Sequence, residues 1–234
     1  MKNHTKFKKI IIVLFFLLGI IVYHSVSKAV RHKDMKYISI YLKGIDLPED
    51  PQDLSYEEQI NLIILIQANV LRISPKGEVG IPHKKERRPE NLYLFGQGLC
   101  YDRSFTLELI FVYLGFETRH VGLFRDDPNF NTLKDLTKKG ISSHSITEVL
   151  TKNGWLIIDS NKLWIGLDKN RAPYSMKLIE KSNFKVDWEK TSTTFFYNNK
   201  CHFLYGVYAR HGNFHKPYNL IPDYNFQELF YNIN

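Results

Sequence analysis

Residues 96–124 read GQGLCYDRSFTLELIFVYLGFETRHVGLF, and this stretch decides which fold the sequence predicts. After Cys100, apolar residues recur every three or four positions, the spacing of one buried helix face: Phe105, Leu109, Val112 and Phe116. Gly115 interrupts the pattern, and residues 118–124 then favour a β-strand. The stretch therefore predicts a helix that begins near Cys100 and is followed directly by a strand.

Cys100 is placed where a thiol can become reactive. The first N–H groups of a helix have no partner within the helix, and the helix dipole favours a negative charge there. Such a position can lower the pKa of a thiol below its usual value of about 8.5. Cys100 is therefore the candidate nucleophile, while the alternative on this stretch alone is a small buried apolar side chain.

The charge of the chain is concentrated near its N-terminus. The 234 residues carry a formal net charge of +8. Residues 1–36 hold eight basic residues and one acidic residue, Asp34, which gives +7 and leaves +1 for the other 198 residues. Because so nearly neutral a body does not attract a phosphate backbone over its surface, we predict no nucleic-acid partner.

An apolar segment follows the basic N-terminus of residues 1–9. Residues 10–23 read IIIVLFFLLGIIVY, a length between that of a signal-peptide core and a membrane span of about 20 residues. We predict that residues 10–26 form an uncleaved signal-anchor, or transmembrane, helix, so that the membrane is a partner and the domain is periplasmic or extracellular. The alternative is a signal peptide cleaved after Ser27 or Ala29.

The next segments predict a linker and two helices. Residues 27–54 contain two prolines in their second half and are interpreted as a linker. A capping box formed by Ser55 and Glu58 predicts the start of a strongly apolar helix that ends at residue 73. A short helix is predicted to begin at Pro89, because proline is favoured in the first turn of a helix.

Two further strands and an aromatic tail complete the domain. The strands are predicted at residues 144–150 and 155–159, with Asn153-Gly154 between them as a strong hairpin signal. Residues 166–234 are rich in tyrosine, phenylalanine and asparagine. They are expected to pack on the core as strands and turns.

Three residue types suited to thiol acyl chemistry follow one another along these elements. Cys100 begins the helix, His144 begins one strand and Asp159 ends the next. In such chemistry a thiolate attacks a carbonyl carbon, an imidazole carries the proton, and a carboxylate orients the imidazole. Backbone N–H groups at the helix start would stabilise the oxyanion. The sequence therefore indicates a candidate Cys-His-Asp triad.

The sequence around these residues resembles the transglutaminase-like superfamily of papain-related thiol enzymes. The resemblance covers about residues 55–165 and rests on three segments in the family's order: GLCYDRSFTLELIFVYLGFETRHVGLF, HSITEVL and NGWLIIDS. The matching positions are Gly98-Leu99-Cys100, Gly115, Arg119, His144, Glu148-Val149, Gly154-Trp155 and Asp159. Ser145-Ile146 replace the family's usual Ala-Trp after the histidine, which changes the expected substrate wall.

The resemblance implies an α+β, papain-like/transglutaminase-type core in which the helix bearing the nucleophile packs on an antiparallel sheet. It implies a thiol hydrolase or acyltransferase acting on amide or ester carbonyls of a peptide, protein or other substrate. Cys100 would be the nucleophile, His144 the general base and acid, and Asp159 the orienting group, with no cofactor and no metal ion. The alternative is a non-catalytic envelope protein of the same fold that binds a peptide or glycan.

A second candidate cluster lies in the tail. Its members include an H-x3-H spacing that zinc can use: Cys201, His202, His211 and His215. No helix is predicted that would put the histidines on one face. Surface or structural histidines are therefore the favoured interpretation.

Three other residues have weaker functional interpretations. Gln97 could donate to an oxyanion, but its spacing from Cys100 differs from that in papain relatives. His120 is interpreted as a satisfied core or rim residue. One disulfide between Cys100 and Cys201 is possible in an exported protein, although two cysteines are too few for a disulfide framework.

The hairpin decides whether His144 and Asp159 can meet. A two-residue turn at Asn153-Gly154 would place both side chains on one face of the sheet but four residues apart, roughly 13 Å at 3.3 Å per residue. A wider turn or a bulge would bring them opposite each other. We favour the wider turn, because the three segments indicate a triad independently of the turn. The Asp159 carboxylate is then expected within about 4 Å of the His144 ring.

Overall fold

The computed structural model describes residues 14, 19–20, 22–125, 138–209 and 222–233. The helices are α1 (His32–Tyr41), α2 (Tyr56–Ile73), α3 (Pro89–Phe95), α4 (Cys100–Tyr113), α5 (Met176–Lys181), α6 (Phe195–Asn198) and α7 (Phe226–Leu229), followed by a 3-10 turn (Phe230–Asn232). The strands are β1 (Thr118–Arg125), β2 (Ser143–Thr151), β3 (Gly154–Ile158), β4 (Cys201–Tyr205), β5 (Val207–Tyr208) and β6 (Asp223–Tyr224). The fold class is α+β, as predicted.

Local sequence signals set the ends of two helices before the site. At the start of α2, Ser55 Oγ accepts from the Glu58 N–H at 3.3 Å, and Glu58 Oε2 accepts from the Ser55 N–H at 2.7 Å. The predicted capping box is therefore confirmed. Helix α3 begins at Pro89, as predicted, and ends at Phe95. The next residue, Gly96, caps it with a φ of 74°, a left-handed conformation that glycine adopts without steric cost.

The main sheet is antiparallel and has the strand order β3-β2-β1-β4. Alternate residues of each strand face opposite sides, because the side-chain period of a strand is two. One side carries Val121, Leu123, Ile146 and Ile157, and the other carries Val149, Leu156 and Ile158. Strand β4 comes from the aromatic tail and pairs with β1, with Tyr205 opposite Val121.

Two apolar cores cover the two faces of this sheet. Helices α2 and α4 contribute Ile63, Ile66, Leu107, Leu109 and Phe111 to the core that includes Val149 and Leu156. The tail contributes Trp164, Met176, Trp188, Phe196, Tyr197 and Tyr205 to the core on the other face. The sheet therefore lies between a helical layer and the C-terminal part of the chain. That part forms the helices α5, α6 and α7 as well as the predicted strands and turns.

The segment interpreted as a linker contains helix α1. Its side chains Ile38 and Tyr41 are fully buried in the helical core, and Tyr41 Oη lies 2.7 Å from Ser74 Oγ. Asp34 in its first turn forms an ion pair with Arg88. Residues 27–54 are therefore part of the packed domain. The difference arises because long-range contacts stabilise this short helix more than its own sequence does.

The residues just after the apolar N-terminal segment also contact the domain. The Val26 N–H donates to the Tyr224 carbonyl at 2.8 Å, and Lys28 Nζ donates to the Thr118 carbonyl at 2.5 Å. Most of the predicted signal-anchor, residues 10–26, and all of residues 1–9 lie outside the described residues. Among the residues that are described, no helix has the length and hydropathy that a membrane span requires.

Candidate active site

Cys100 is the first residue of helix α4 and is half-buried. The approach to it is fixed by Gly98, where a Cβ atom would lie 2.6 Å from Leu92 Cδ1, closer than packed atoms allow. Asp102 Oδ2 accepts from the Leu99 N–H at 2.8 Å and so closes the first turn. The Gly-x-Cys segment therefore places the thiol at the start of the helix by close packing as well as by local conformation.

The buried guanidinium of Arg103 joins this helix start to the turn after β3. It donates to the carbonyl oxygens of Pro75 (3.1 Å), Gly98 and Ser160 (2.5 Å), and to Asn161 Oδ1. Four acceptors on three chain segments thus converge on one planar cation, which holds them in a fixed relative position. No local sequence pattern indicates the role of Arg103, because its partners lie on segments that are far apart in sequence.

His144 lies near the start of β2 and brings the three predicted residues together. Its Nε2 is 3.3 Å from Asp159 Oδ2. Cys100, His144 and Ser145 line one cavity, and His144 Nδ1 lies 3.4 Å from Asn161 Nδ2. The His144 ring also stacks on Phe196 of the tail, with centroids 6.1 Å apart and planes 17° apart. An aromatic wall beside the histidine is therefore supplied by the tail.

The observed hairpin register differs from both predicted registers. Thr151 lies opposite Gly154, so Lys152 and Asn153 are the turn residues and Gly154 is the first residue of β3. If this pairing continues by one residue, Asp159 lies opposite Ile146, which is two residues along β2 from His144. Two residues of a strand span roughly 7 Å. Both side chains face the same side of the sheet, and they span this diagonal offset.

The turn position is set by a contact outside the hairpin. The Lys152 N–H donates to Gln59 Oε1 of helix α2 at 3.0 Å, and Thr151 Oγ1 donates to the Gly154 carbonyl at 2.7 Å. The Asn-Gly preference for the two turn positions is a local signal. Here the tertiary hydrogen bond shifts the turn by one residue.

Asp159 is buried and its carboxylate is fully hydrogen-bonded. Oδ1 accepts from the backbone N–H groups of Asn161 at 2.6 Å and Lys162 at 3.0 Å. Oδ2 accepts from Tyr197 Oη at 2.7 Å and from Thr194 Oγ1 at 3.3 Å, in addition to facing His144. These partners hold the carboxylate towards the imidazole. The aspartate turn could have been anticipated from the D-S-N-K sequence, whereas Tyr197 and Thr194 carry no local signal.

The charges of the three side chains stabilise one another. Burial raises the pKa of the Cys100 thiol, but the hydrogen bond and charge of His144 outweigh it and hold that pKa below its usual value. Burial lowers the pKa of His144, but the Asp159 carboxylate raises it more, to about 10. Burial raises the pKa of Asp159, and His144 overrides this and lowers it to about 2. The arrangement thus favours a thiolate beside an imidazolium.

A cavity of about 220 Å³ opens at the thiol. It is lined by Leu99, Cys100, Tyr101, Gly122, Phe124, Ser143, His144, Ser145 and Ala209. The first N–H groups of α4 lack partners within the helix and are therefore suited to an oxyanion in this cavity. Gln97 does not line it; its side chain packs against Gly77 instead, within 2.8 Å of where a Cβ would be.

The other predicted polar sites have different outcomes. Cys100 and Cys201 are not joined by a disulfide, and Cys201 Sγ donates to the Phe196 carbonyl at 3.6 Å. His211 and His215 lie outside the described residues. Within the described ranges, no cluster of three or more His, Cys, Asp or Glu side chains is arranged to hold a metal ion.

No protein-family model matches this sequence, and no curated protein matches it either. The site is therefore defined by its own geometry: a half-buried thiol at a helix start, an imidazole beside it and a fully hydrogen-bonded carboxylate behind the imidazole.

Proposed function

We propose that the protein is a transglutaminase-like thiol hydrolase or acyltransferase with a papain-like core, acting at amide or ester carbonyls. The observation that carries this proposal is the Cys100–His144–Asp159 arrangement, in which Cys100 and His144 line one cavity and Asp159 Oδ2 lies 3.3 Å from His144 Nε2. A helix bearing the thiol, packed on an antiparallel sheet that bears the histidine, is consistent with the family resemblance of the sequence.

The first half of the proposed reaction forms a thioester. The Cys100 thiolate attacks the carbonyl carbon, and the negative charge moves to the carbonyl oxygen near the first N–H groups of α4. The His144 imidazolium gives its proton to the leaving amine or alcohol as the bond to that group breaks. Asp159 keeps the imidazole oriented and stabilises its charge.

The second half releases the acyl group. A water molecule, or an acceptor amine or alcohol, attacks the thioester carbon and gives a proton to His144. The carbon–sulfur bond breaks, and the thiolate–imidazolium pair is restored. Water as the acceptor makes the protein a hydrolase, and a different acceptor makes it an acyltransferase.

We also propose that residues 10–26 anchor the protein in a membrane with the domain outside the cytoplasm. Val26 and Lys28 contact the domain, so a cut after Ala29 would remove packed residues, which supports retention of the segment. Membrane fractionation with N-terminal sequencing tests this. The expected result is a membrane-bound chain with its original N-terminus, and a mature N-terminus at Lys28 or Val30 would contradict it.

Alkylation of the thiol as a function of pH tests the proposed chemistry. Iodoacetamide should modify Cys100 rapidly well below pH 8, because its pKa is held below the usual value by His144. Cys201→Ala is the matched control, since it removes the buried second thiol and should leave this reaction unchanged. An activated acyl ester should load wild type and Cys201→Ala but not Cys100→Ala, as measured by intact mass.

Two outcomes would contradict the proposal. A Cys100 that reacts only above about pH 8.5 would be an ordinary thiol. A reactive Cys100 that never forms an acyl-enzyme would favour a non-catalytic protein that binds a peptide or glycan.

A further inference from the structure

The turn that follows β3 carries an amide side chain to the ring of His144. Asn161 Nδ2 lies 3.4 Å from His144 Nδ1, whereas the other ring nitrogen, Nε2, faces Asp159 Oδ2. Asn161 is not among the described residues that line the cavity at the thiol. Any influence of its amide on the reaction therefore acts through the imidazole.

The orientation of this amide is fixed by the residues around it. Arg103 donates to Asn161 Oδ1, and because a guanidinium can only donate, the amide atom that it faces is the carbonyl oxygen. Arg103 is itself held by three backbone carbonyl oxygens. The Asn161 N–H donates to Asp159 Oδ1 at 2.6 Å, which fixes the backbone of the turn. The NH₂ group of Asn161, a donor, is therefore the end of the amide that points to the imidazole.

A donor at Nδ1 distinguishes the two protonation states of the ring. In the imidazolium both ring nitrogens carry a hydrogen, so the NH₂ group of Asn161 meets a second donor at Nδ1 and forms no hydrogen bond there. In the neutral ring, the Asp159 carboxylate keeps the hydrogen on Nε2, and the lone pair of Nδ1 accepts from Asn161. The amide thus stabilises the neutral ring relative to the imidazolium.

The groups that face the ring, directly or through one partner, come from three segments: Cys100 and Arg103 on α4, Asp159 and Asn161 after β3, and Phe196 and Tyr197 on α6. The thiolate and the carboxylate both favour the imidazolium. The tyrosine hydroxyl donates to the carboxylate, the guanidinium donates to the amide, and the phenylalanine ring is uncharged. Among the described residues, Asn161 is therefore the hydrogen-bonding group that favours the neutral ring.

We propose that Asn161 is a positioning residue that donates to His144 Nδ1 after the ring has given its proton to the leaving group. This role rests on the proposed function of Cys100. The leaving amine or alcohol takes the Nδ1 proton as its bond to the acyl carbon breaks, and the thioester that remains has no thiolate to pair with an imidazolium. Asn161 then keeps the ring neutral until the attacking water or acceptor gives a proton to Nδ1. The 3.4 Å contact is long for a hydrogen bond, so the attacking group can replace it.

Titration of His144 in the full chain carrying Cys100→Ala tests the contact without catalysis and without the thiolate. With ¹⁵N-labelled histidine, adding Asn161→Ala should raise the pKa of His144 by about 0.5–1 unit, the effect of one hydrogen bond lost from the neutral ring. Asn161→Asp keeps the size of the side chain and should raise the pKa further, because a carboxylate oxygen at the position of Nδ2 accepts from the imidazolium. His144→Gln assigns the resonance.

Ser160→Ala is the matched control in the same turn. The Ser160 hydroxyl donates to the Ser145 carbonyl at 2.6 Å, so the change removes one buried hydrogen bond beside β2 but no donor at His144 Nδ1. In the Cys100→Ala background it should leave the pKa of His144 within about 0.2 unit, well below the shift that one hydrogen bond to the ring produces.

Hydrolysis of the acyl-enzyme gives a second measurement in the chain that keeps its thiol. After loading with an activated acyl ester, the midpoint of the pH profile for deacylation should move to higher pH by about 0.5–1 unit in Asn161→Ala. The rate at the high-pH plateau should stay within about threefold of wild type, because the ring is neutral there in both chains. Rapid quenching followed by intact mass measures the rates.

The two proposals can fail separately. A pKa of His144 that is unchanged or lowered by Asn161→Ala in the Cys100→Ala background overturns this inference, even when wild type forms an acyl-enzyme. An equal shift in Ser160→Ala overturns it as well, because the effect would then come from a loosened turn. The expected pKa shift in a chain whose wild type never forms an acyl-enzyme keeps the hydrogen bond to the neutral ring and overturns its role in the reaction.

Discussion

Two buried histidine–carboxylate pairs lie beside helix α4, and they differ in what the second ring nitrogen meets. His144 Nε2 pairs with Asp159, its Nδ1 lies 3.4 Å from Asn161 Nδ2, and the ring lines the cavity at the Cys100 thiol. His120 pairs with Glu108, and its Nε2 meets no protein group among the described residues. The two pairs thus have different surroundings, and under the proposed function only His144 lies where a ring can exchange a proton with the reacting thiol.

The carboxylates of the two pairs are also held differently. Asp159 accepts from two backbone N–H groups and a tyrosine hydroxyl, which favour its ionised form. Glu108 shares the hydroxyl of Tyr208 with the buried carboxylate of Glu228, with oxygen–oxygen distances of 3.0 and 2.8 Å. Burial and the charge of Glu108 raise the pKa of Glu228. The first pair is built around a stable carboxylate, and the second belongs to a crowded acidic cluster.

The largest expected effect separates the two histidines by the reactivity of the thiol. His144→Ala should slow iodoacetamide alkylation of Cys100 at about pH 6 by roughly 10- to 300-fold, because without the imidazolium the thiol returns towards its usual pKa of about 8.5, at which only about 0.3% is thiolate at that pH. His120→Asn should leave the rate within about twofold, because His120 does not contact the thiol. Quenched-flow alkylation with mass-spectrometric detection measures the two rates. If both variants are slowed to a similar extent, the proposed difference between His144 and His120 is wrong.

The next effect compares stability after the charge of each carboxylate is removed. Asp159→Asn should lower the free energy of unfolding by about 3–5 kcal/mol, as expected when a buried ion pair loses one partner. Glu108→Gln keeps a hydrogen-bond acceptor for His120 and should cost about 1–3 kcal/mol. Urea denaturation measures both values.

The Asp159→Asn effect should depend on pH. The pKa of Asp159 is lowered from 3.8 to about 2, so its contribution is fully present above pH 3.8 and is lost as the pH falls through about 2. The pKa of His144 is raised from 6.5 to about 10, so its contribution is present below pH 6.5 and is lost as the pH rises through about 10. The stability difference should therefore be largest between about pH 4 and 6.5. If the difference in unfolding free energy between wild type and Asp159→Asn grows above pH 8, Asp159 and His144 do not form the ion pair described here.

The smallest effect compares the tyrosine hydroxyls that serve the two carboxylates. Tyr197→Phe removes one hydrogen bond to Asp159 and should cost about 0.5–1.5 kcal/mol of unfolding free energy. Tyr208→Phe removes the donor shared by Glu108 and Glu228 and should cost more, because two buried carboxylates then lose a partner. Denaturation of the two variants measures this order, and the reverse order would show that the acidic cluster is already satisfied without Tyr208.

The sequence by itself determined the elements around the site. The Ser55–Glu58 capping box, Pro89 and the glycines before Cys100 act over a few residues, so helix ends and the helix that begins at the thiol were predictable. Strand-like residue patterns predicted the ends of β1, β2 and β3 to within about one residue. These features depend on local backbone conformation and on the spacing of apolar side chains, and both are determined by residues that are neighbours in sequence.

Only the tertiary structure decided how those elements meet. The turn of the hairpin is hydrogen-bonded to Gln59, and helix α1 forms by packing within the predicted linker. Phe196 and Tyr197 of the tail contact His144 and Asp159 from a distant part of the sequence. Arg103 joins three segments through backbone oxygens, which have no signature in sequence. Such contacts link residues that are distant in sequence, so their free energy becomes available only when the whole domain has packed, and no local pattern can specify them.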